Sequence, residues 1–338
     1  MTNKDDLIDL SHGSGGLASN NLINSLFIKH FDNDFLDQGN DFASTEVTAG
    51  RLIVSTDSHV VTPLFFPGGD IGSLSVHGTI NDIAMSGGTP LYLTAAFIIE
   101  EGFPLAKLEK IVISMAEASR KAGIPIITGD TKVVERGKAD GVYITTTGIG
   151  TVSKAVNVSG ERAKIHDSII ISGTIGDHGV AVMSSREGLS FETDIQSDSA
   201  ALHELVHDMI SLVPTIHCLR DPTRGGVAAT LNELAKQSNV GMLLNESAIP
   251  VRQAVAGACE LLGLDPLNIA NEGKLICICD SADAQTLIEK MRQHPLGKDT
   301  AIIGEVVEDS ENRVQMKTTF GGTRLVDWLS SEQLPRIC

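Results

Sequence analysis

Residues 90–130, PLYLTAAFIIEEGFPLAKLEKIVISMAEASRKAGIPIITGD, predict a strand, a helix and a second strand in succession. The apolar run at 90–99 is typical of a buried strand. Residues 104–122 repeat apolar side chains at helical spacing, and Pro104 opens the first turn, where its missing N–H leaves no bond unmade. Residues 123–130 return to an apolar strand. This order is typical of an α/β or α+β domain.

On both sides of this unit, the first half of the chain also alternates predicted strands with predicted helices. Apolar residues spaced along one helix face predict helices at about 16–30 and 70–86. Apolar or alternating runs predict strands at 51–56 and 141–150. Polarity rises over 151–166, which predicts a boundary between two domains.

The second half repeats the pattern after that boundary. The predicted strands are 167–173, 275–279 and 301–308, and the predicted helices are 178–186, 199–213, 226–237, 251–262 and 282–293. We therefore expect an α/β (α+β) protein of two domains. The expected parts are an N-terminal glycine-rich arm and helix (1–40), an N-terminal domain (41–152), a C-terminal domain (153–317) and a flexible tail (318–338).

The composition restricts the possible functions. The chain has 338 residues and a formal net charge of −17, with 42% hydrophobic residues. This charge argues against a nucleic-acid binder, because phosphate neutralisation needs clustered Lys and Arg. It leaves a nucleotide enzyme open, since Mg²⁺ can bridge carboxylates and phosphates. Neither a targeting segment nor a membrane-spanning run is visible, so the cytoplasm is the expected location.

The five cysteines form no C-x₂-C pair, so the usual zinc and thioredoxin spacings are missing. Cys277 and Cys279 alternate along a predicted strand, where core packing is the simplest role. Cys338 is different, because it is the last residue and no core forms easily around a chain end. An exposed terminal thiol is therefore the unusual feature of this sequence.

Three aspartates accompany apolar segments and are candidates for a Mg²⁺ site. Asp57 and Asp130 end predicted strands, and Asp82 lies within a predicted helix. Mg²⁺ prefers oxygen ligands together with water and phosphate, and Asn81 could add a neutral oxygen. The alternative is that these residues cap helices and form turns, which Asp and Asn do routinely.

Two glycine-rich stretches precede helices and are candidates for phosphate binding. The first is HGSGG, with His12, Gly13, Gly15 and Gly16, and the second is DPTRGG, with Arg224. Glycines let backbone N–H groups approach a phosphate at a helix N-terminus, and Arg can bind it as a fork. The alternative is ordinary helix capping in both places. Neither stretch is a P-loop or a Rossmann fingerprint.

Candidates for proton transfer and charge stabilisation follow the same strands. Glu272 and Lys274 lie in NEGK before a buried strand, and Lys132 lies two residues after Asp130. Either residue of the first pair could move a proton, and Lys132 could meet a phosphate or a developing oxyanion. A solvated polar turn is the alternative for NEGK.

Taken together, these pieces resemble the HypE family of hydrogenase-maturation proteins. The motifs that carry the resemblance are HGSGG (12–16), STDS (55–58), FFPGGDIG (65–72), GTINDIAMSGG (78–88), TGDTKVV (128–134), DPTRGGV (221–227), NEGK (271–274) and the terminal PRIC (335–338). The resemblance covers essentially the whole chain. Its middle motifs are shared with aminoimidazole ribonucleotide synthetase and selenophosphate synthetase, but the glycine stretch here has Ser14 and no Lys, which argues against selenide chemistry.

The resemblance implies a fold and a set of ligands. The fold is the two-domain fold of aminoimidazole ribonucleotide synthetase, in which the N-terminal domains of a homodimer pair their sheets into a barrel. ATP and Mg²⁺ bind at the positions of Asp57, Asp82 and Asp130, beside Gly129 and Thr131 of the TGDTKVV motif.

The resemblance also implies the reaction and its partners. The carbamoyltransferase HypF loads a carboxamide onto the sulfur of Cys338, and ATP then drives its dehydration to a thiocyanate. The cyanide goes to iron for the [NiFe] hydrogenase through a HypC–HypD iron-assembly complex. Catalytic roles are implied for Cys338, Lys132 and Glu272.

Two other functions are compatible with the residues alone. One is an ATP-using enzyme of the same superfamily that acts on a free small molecule, whose activity would survive loss of Cys338. The other is a scaffold without catalysis, in which the aspartates are turn residues and no nucleotide is consumed.

Overall fold

The computed structural model describes residues 7–13, 17–36, 43, 45, 50–186, 195–327 and 336–337. Its helices are α1 (Leu17–Leu22), α2 (Lys29–Phe31), α3 (Ile71–Met85), α4 (Leu105–Ala122), α5 (Asp177–Ser184), α6 (His203–Leu212), α7 (Gly226–Ser238), α8 (Gln253–Leu262) and α9 (Ser281–Met291). A π-helical turn, Ile23–Ile28, joins α1 to α2. The predicted helix at 16–30 is therefore present, with a bulged middle.

The strands form two main sheets and one short hairpin. In chain order they are β1 (Arg51–His59), β2 (Phe65–Phe66), β3 (Gly69–Asp70), β4 (Thr89–Glu100), β5 (Ile126–Val134), β6 (Val142–Val152), β7 (Ser168–Ile171), β8 (Cys218–Arg220), β9 (Gly241–Asn245), β10 (Ile276–Cys279), β11 (Ala301–Val307), β12 (Val314–Lys317) and β13 (Thr323–Leu325). Strands β2 and β3 pair only with each other among the described residues. The predicted two-domain α/β organisation is confirmed.

The N-terminal sheet has the strand order β1-β6-β4-β5. Strands β4 and β5 are parallel and are joined by α4, whereas the other two pairs are antiparallel. Every second residue of β6 is buried. This alternation arises because one face, which we call the inner face, packs on α3 and α4. The opposite outer face exposes Leu52, Val54 and Ile98.

Glycines in β6 let α3 lie directly on the inner face. A Cβ at Gly150 would meet the Ile83 side chain at 2.4 Å, and one at Gly148 would meet the side chains of Ile83 and Thr79 at 2.9 Å. Helix α3 is buried on nearly all sides, because Ala84 and Met85 also pack against the second domain. A helix in this position is apolar all round, as its sequence is.

The C-terminal sheet has the order β13-β12-β9-β11-β7-β10-β8. Strands β9 and β12 are parallel, and the other neighbours are antiparallel. The segment predicted as a tail from residue 318 contributes a strand to this sheet. Strand β13 pairs with β12, and Val326 is buried with its N–H bonded to the Val314 carbonyl at 2.9 Å.

Asn81 joins the two domains. Its Nδ2 donates to the carbonyls of Ala200 and Glu272 at 3.0 and 3.1 Å, and its Oδ1 accepts from the Leu202 N–H at 2.8 Å. The side chain is buried, so these bonds satisfy groups that water cannot reach. Within the described residues, no helix combines the length and apolar character needed to cross a membrane.

Candidate active site

A cavity of about 510 Å³ opens between β1, α3 and the loop that follows β8. Strand β1 and helix α3 contribute one wall, and the second domain contributes the other. The polar side chains in its lining are Ser55, Asp57, Ser58, His59, Asp82, Ser159, Arg220, Asp221, Thr223, Arg224 and Glu272. The cavity is therefore a polar cleft between the two domains.

Four carboxylates from four different segments line this cleft: Asp57, Asp82, Asp221 and Glu272. Asp57 lies inside β1 rather than at its end, on the inner face that looks toward α3. Asp82 lies in the last turns of α3 and accepts from Ser55 Oγ at 2.6 Å. The structure thus brings two of the three predicted aspartates together.

Burial makes Asp82, Asp221 and Glu272 hold protons unusually tightly. It raises the pKa of Asp82, and it raises the pKa of Asp221 to about 7, with further repulsion from Asp82. It also raises the pKa of Glu272 well above its usual range, with added repulsion from Asp221 and Asp198. Like charges in a low-dielectric cleft favour a bound cation or proton.

Two arginines supply positive charge to the same cleft. Arg220 donates to Glu233 at 2.7 Å, and Arg224 lies in the loop between β8 and α7. Gly226 follows Arg224 closely and has a left-handed φ of 60°. A Cβ there would lie 2.5 Å from the Leu267 carbonyl oxygen, so the DPTRGG turn requires glycine at this position.

The cleft suits a divalent cation that takes additional ligands from outside the protein. No group of three or more His, Cys, Asp or Glu side chains in the described residues has the spacing to hold a metal ion. Glu272 Oε1 is buried and has no hydrogen-bond partner, which leaves an acceptor for an external group. Mg²⁺ commonly binds one or two carboxylates together with phosphate and water. The donor set therefore fits Mg²⁺ that is also held by phosphate.

Asp130 lies away from the other two predicted aspartates. The register places Asp57, Thr146, Ala95 and Gly129 in one row across the sheet, so β5 is about 14 Å from β1 at three strand spacings. Asp130 is one residue beyond this row and lies on the outer face. The predicted three-aspartate cluster does not form within one chain, because β1 and β5 are the two edges of the sheet.

The remaining residues predicted from TGDTKVV and HGSGG lie with Asp130 at the β5 edge. Lys132 Nζ is 3.3 Å from Asp130 Oδ2, and both side chains are largely exposed. The Thr131 N–H donates to Asp130 Oδ1 at 2.9 Å. Gly13 lies against β5, where a Cβ would be 2.5 Å from the Val133 nitrogen, and His12 precedes it.

Other predicted residues have structural roles in this chain. A Cβ at Gly129 would lie 2.2 Å from the Ala95 carbonyl oxygen, so the pairing of β4 with β5 requires glycine there. The polar atoms of Asn81 form hydrogen bonds between the domains. Lys274 Nζ lies 3.2 Å from the buried Asp198 Oδ2.

Asp221 is the functional candidate that sequence reasoning missed. The DPTRGG motif was selected for Arg224 and its glycines, and Asp221 follows β8, a three-residue strand that the sequence pattern did not predict. Gly15, Gly16 and Cys338 lie outside the described residues.

The two residues before Cys338 are described and contact the body of the protein. The Ile337 side chain is buried at 3% exposure, and its carbonyl accepts from His178 Nε2 at 2.8 Å. The Arg336 carbonyl accepts from the Thr62 N–H and from Arg186 Nη2, each at 3.1 Å. The chain end therefore has a defined docking place beside the interdomain region.

Comparisons with known proteins extend over the whole chain. Family models described as the N-terminal and C-terminal domains of AIR synthase related proteins match residues 39–152 and 164–317. The chain is 62% identical over 336 residues to the carbamoyl dehydratase HypE of Cupriavidus necator, with 99% of this chain and 96% of that protein covered.

Two solved structures are similar at comparable identity. A crystal structure of hydrogenase maturation protein HypE in complex with ATP is 50% identical, has a TM-score of 0.94, and is matched over 97% of this chain and 99% of that chain. A crystal structure of a HypE–HypF complex is 49% identical, has a TM-score of 0.81, and is matched over 91% of this chain and 99% of that chain.

Proposed function

This chain belongs to the HypE family of carbamoyl dehydratases, and from that premise we propose that it uses ATP to dehydrate a carboxamide carried on its own Cys338. The product is a thiocyanate on the same sulfur. Its cyanide supplies the ligand for the iron of [NiFe] hydrogenase during maturation of that enzyme.

The docking of Arg336 and Ile337 is the observation that carries this proposal. Three hydrogen bonds join these two residues to Thr62, His178 and Arg186, and the Ile337 side chain is buried. A free small-molecule substrate would give the body no reason to bind its own chain end. A self-carried substrate requires that the end be guided to the cleft and released again.

The chemistry follows from the poor leaving ability of an amide oxygen. Transfer of the γ-phosphoryl group of ATP to the carboxamide oxygen turns that oxygen into part of a phosphate leaving group. Removal of both amide protons and departure of phosphate then leave the sulfur-bound carbon triply bonded to nitrogen. The balance is carboxamide plus ATP to thiocyanate plus ADP, phosphate and a proton.

Within this reaction, Glu272 is the proposed base that accepts an amide proton. Burial raises its pKa, which makes its carboxylate a stronger proton acceptor than an ordinary glutamate. Lys132 is the proposed partner of the negative charge that develops during phosphoryl transfer. Cys338 is at once carrier and substrate.

The carboxylates of the cleft are the proposed holders of Mg²⁺. Asp57, Asp82 and Asp221 would bind it together with the phosphates, and Arg224 would bind a phosphate oxygen directly. When bound, Mg²⁺ supplies the neutralisation of charge that phosphoryl transfer needs. ATP binding by a protein 50% identical over nearly all of this chain supports the nucleotide assignment.

A homodimer is the proposed way in which the β5 edge takes part. Asp130 and Lys132 lie far from the cleft of their own chain, on the outer face that also exposes Leu52 and Val54. Pairing of two outer faces would bury this apolar area. It would also bring the β5-edge residues of one copy toward the second copy, with His12, Gly13, Gly129 and Thr131 beside them.

HypF is the proposed carbamoyl donor, because a HypE 49% identical to this chain has been crystallised with HypF. A HypC–HypD iron-assembly complex is the proposed cyanide acceptor. We place the reaction in the cytoplasm, since the four described cysteines are free thiols, as expected in a reducing compartment.

Intact-protein mass spectrometry tests the proposal. The protein and its Cys338→Ala variant are each incubated with HypF, carbamoyl phosphate and Mg·ATP. The expected result is gain of one carbamoyl group and then ATP-dependent loss of one water, in the parent chain alone. Addition of EDTA after loading should stop the second step and leave the carbamoyl adduct.

The alternative is an enzyme of the same superfamily that acts on a free small molecule. It predicts ATP consumption with an added amide substrate in the Cys338→Ala variant. Such consumption, with no adduct on Cys338 of the parent chain, would replace the proposed function.

A further inference from the structure

The docking place of the chain end is assembled from distant parts of the fold. Thr62 lies in the loop after β1, His178 is the second residue of α5, and Arg186 follows the end of α5. Asp140, in the turn between β5 and β6, forms an ion pair with Arg336. The Ile337 side chain packs within the N-terminal core beside residues of α5. We call these contacts the tail dock.

The tail dock recognises the backbone as well as side chains. Three of its hydrogen bonds end on the carbonyls of Arg336 and Ile337. A slip of the tail by one residue would move the buried Ile337 side chain out of its place and replace it with a different residue. The dock therefore fixes how far the chain end reaches.

The docked backbone is strained at Arg336, where φ is 55°. A residue with a Cβ adopts this left-handed conformation at a cost, so the contacts must hold it there. The ion pair of Arg336 with Asp140 is exposed and adds little strength. Only a few contacts offset the strain of the Arg336 backbone, so the net stabilisation of the docked tail is small. Weak net stabilisation is expected for a segment that must dock and release.

His178 is the most constrained member of the tail dock. It is fully buried, and its ring packs edge-on against Phe66 with centroids 5.4 Å apart. A carbonyl oxygen can only accept, so Nε2 carries the hydrogen donated to Ile337. Nδ1 then accepts from Ser197 Oγ at 2.8 Å. Both ring nitrogens are used, and burial lowers the pKa of His178, which keeps the ring neutral.

The segment that holds His178 also holds Glu272. Asp198 follows Ser197, and its Oδ1 accepts from the Glu272 N–H at 3.0 Å. Its Oδ2 is 3.2 Å from Lys274 Nζ. One short segment thus connects the position of the docked tail with the position of the proposed base.

We propose that His178 is a positioning residue that seats the substrate-bearing tail for dehydration through the Ile337 carbonyl. The proposal rests on the function proposed above. Loading takes place in the site of the carbamoyltransferase, with the tail released, so it does not need this bond. Dehydration takes place at the cleft of this protein and therefore needs the bond from His178 to the Ile337 carbonyl.

The first test measures docking without any reaction. Full-length protein is digested with a carboxypeptidase, and removal of Cys338 is followed by mass spectrometry. His178→Ala should raise the rate about threefold or more, because the tail spends more time released. His178→Gln should restore most of the protection, since a glutamine amide can donate to the same carbonyl. Equal rates in all three proteins would overturn the proposal.

The second test separates the two chemical steps. With HypF, carbamoyl phosphate and Mg·ATP, the loading rate of His178→Ala should stay within about twofold of the parent chain. Its rate of water loss should fall by about 10- to 100-fold, as misplacement of a reacting group by about 1 Å does. His178→Gln should recover much of this loss. Equal losses in the alanine and glutamine variants, with unchanged tail protection, would overturn the positioning role.

A second variant keeps the test valid if His178→Ala does not fold. Arg186→Gln removes the bonds that this half-buried side chain donates to the carbonyls of Arg336 and Thr62, and Arg136→Gln is the control at an exposed position. Arg186→Gln should speed tail removal and slow water loss, whereas Arg136→Gln should do neither. Unchanged tail removal in Arg186→Gln would contradict the dock.

The two proposals fail in different ways. If the parent chain gains a carbamoyl group and never loses water, the proposed function fails, but the protection test still decides whether His178 holds the tail. If water is lost normally in His178→Ala, the proposed function stands and the positioning role is wrong.

Discussion

Glu272 combines burial, an unpartnered oxygen and proximity to three other carboxylates, which is unusual for a residue with a merely structural role. Its Oε1 has no hydrogen-bond partner, and burial raises its pKa well above the usual range. A buried polar atom without a partner lowers the free energy of unfolding. The position of Glu272 is therefore better explained by a function in the cleft than by a contribution to stability.

Replacement of Glu272 by Gln keeps the shape of the side chain and removes the proposed base. We expect the rate of water loss from the carbamoylated protein to fall by about 100-fold or more. ATP affinity, measured with a fluorescent nucleotide, should stay within about twofold, since Arg224 and the aspartates are unchanged. A Glu272→Gln protein that dehydrates at the parent rate would remove Glu272 from the mechanism.

His77 makes the folded state sensitive to acid. It is half-buried on α3, its Nδ1 lies 3.0 Å from Ser199 Oγ, and desolvation lowers its pKa to about 4, with smaller effects from Lys121 and His203. The unfolded chain binds a proton near the ordinary pKa of about 6.5, whereas the folded chain does so only near 4. Stability is therefore lost as pH falls between these two values.

The corresponding prediction concerns the difference between two variants. Between about pH 7.5 and about pH 5, this single group lowers the free energy of unfolding by about 2 kcal/mol. His77→Gln should remove that part of the loss in urea unfolding curves, and His207→Gln, at an exposed position, should leave it unchanged. Identical acid sensitivity in the parent chain and His77→Gln would refute the assignment.

At the scale of elements, the N-terminus of α3 depends on a reciprocal cap. Asp70 Oδ1 accepts from the Ser73 N–H at 3.0 Å, and Ser73 Oγ accepts from the Asp70 N–H at 3.1 Å. The helix carries Asp82 into the cleft and Asn81 into the domain interface. Fraying at this end would therefore loosen both.

Asp70→Ala should lower the free energy of unfolding by about 1–2 kcal/mol, because the first turn of α3 loses its cap. Asp70→Asn should cost less, since an asparagine oxygen can accept the same bond. Asp299→Ala, at an exposed position, is the control. Chemical denaturation measures the free energy of unfolding of each variant. If Asp70→Ala lowers it by no more than Asp299→Ala does, the role of the cap is contradicted.

Long periodic elements could be predicted from the sequence, whereas short ones and strand order could not. The strand–helix–strand unit at 90–130 was predicted correctly because its periodicities extend over many residues. Strands β8, β9, β12 and β13 were missed because three to five residues show no reliable period, whereas the equally short β7 and β10 were predicted from continuous apolar runs. Strand β13, which lies in the segment predicted as a tail from 318, was missed for the same reason.

Strand order also explains why only some of the predicted site residues lie together in the cleft. Asp57 and Asp130 were treated alike because both follow apolar strands, but β1 and β5 are opposite edges of the sheet. Pairing depends on contacts between distant segments, which local pattern does not record. Asp221 enters the cleft for the same reason, through the packing of β8 beside β10.

At the scale of the whole molecule, the outer face of the N-terminal sheet exposes a group of apolar side chains among the residues that the structure describes. Leu52 and Val54 are 58% and 57% exposed, and Ile98 lies two strands away on the same face. Exposed apolar residues grouped on a sheet are typical of an interaction site. The proposed homodimer would cover them.

Val54→Asp tests this assembly and its link to catalysis. A carboxylate placed in the interface by each copy must be buried unpaired, so the dimer dissociation constant should rise by about 100-fold or more. Leu261→Asp is the matched control, because Leu261 is 79% exposed on α8, away from this sheet. Light scattering after size exclusion should show Val54→Asp as a monomer and Leu261→Asp as a dimer.

The Val54→Asp monomer should also lose the ATP-driven loss of water, because Asp130 and Lys132 cannot reach the cleft of their own chain. A Val54→Asp monomer with full activity would show that the β5 edge takes no part in the reaction.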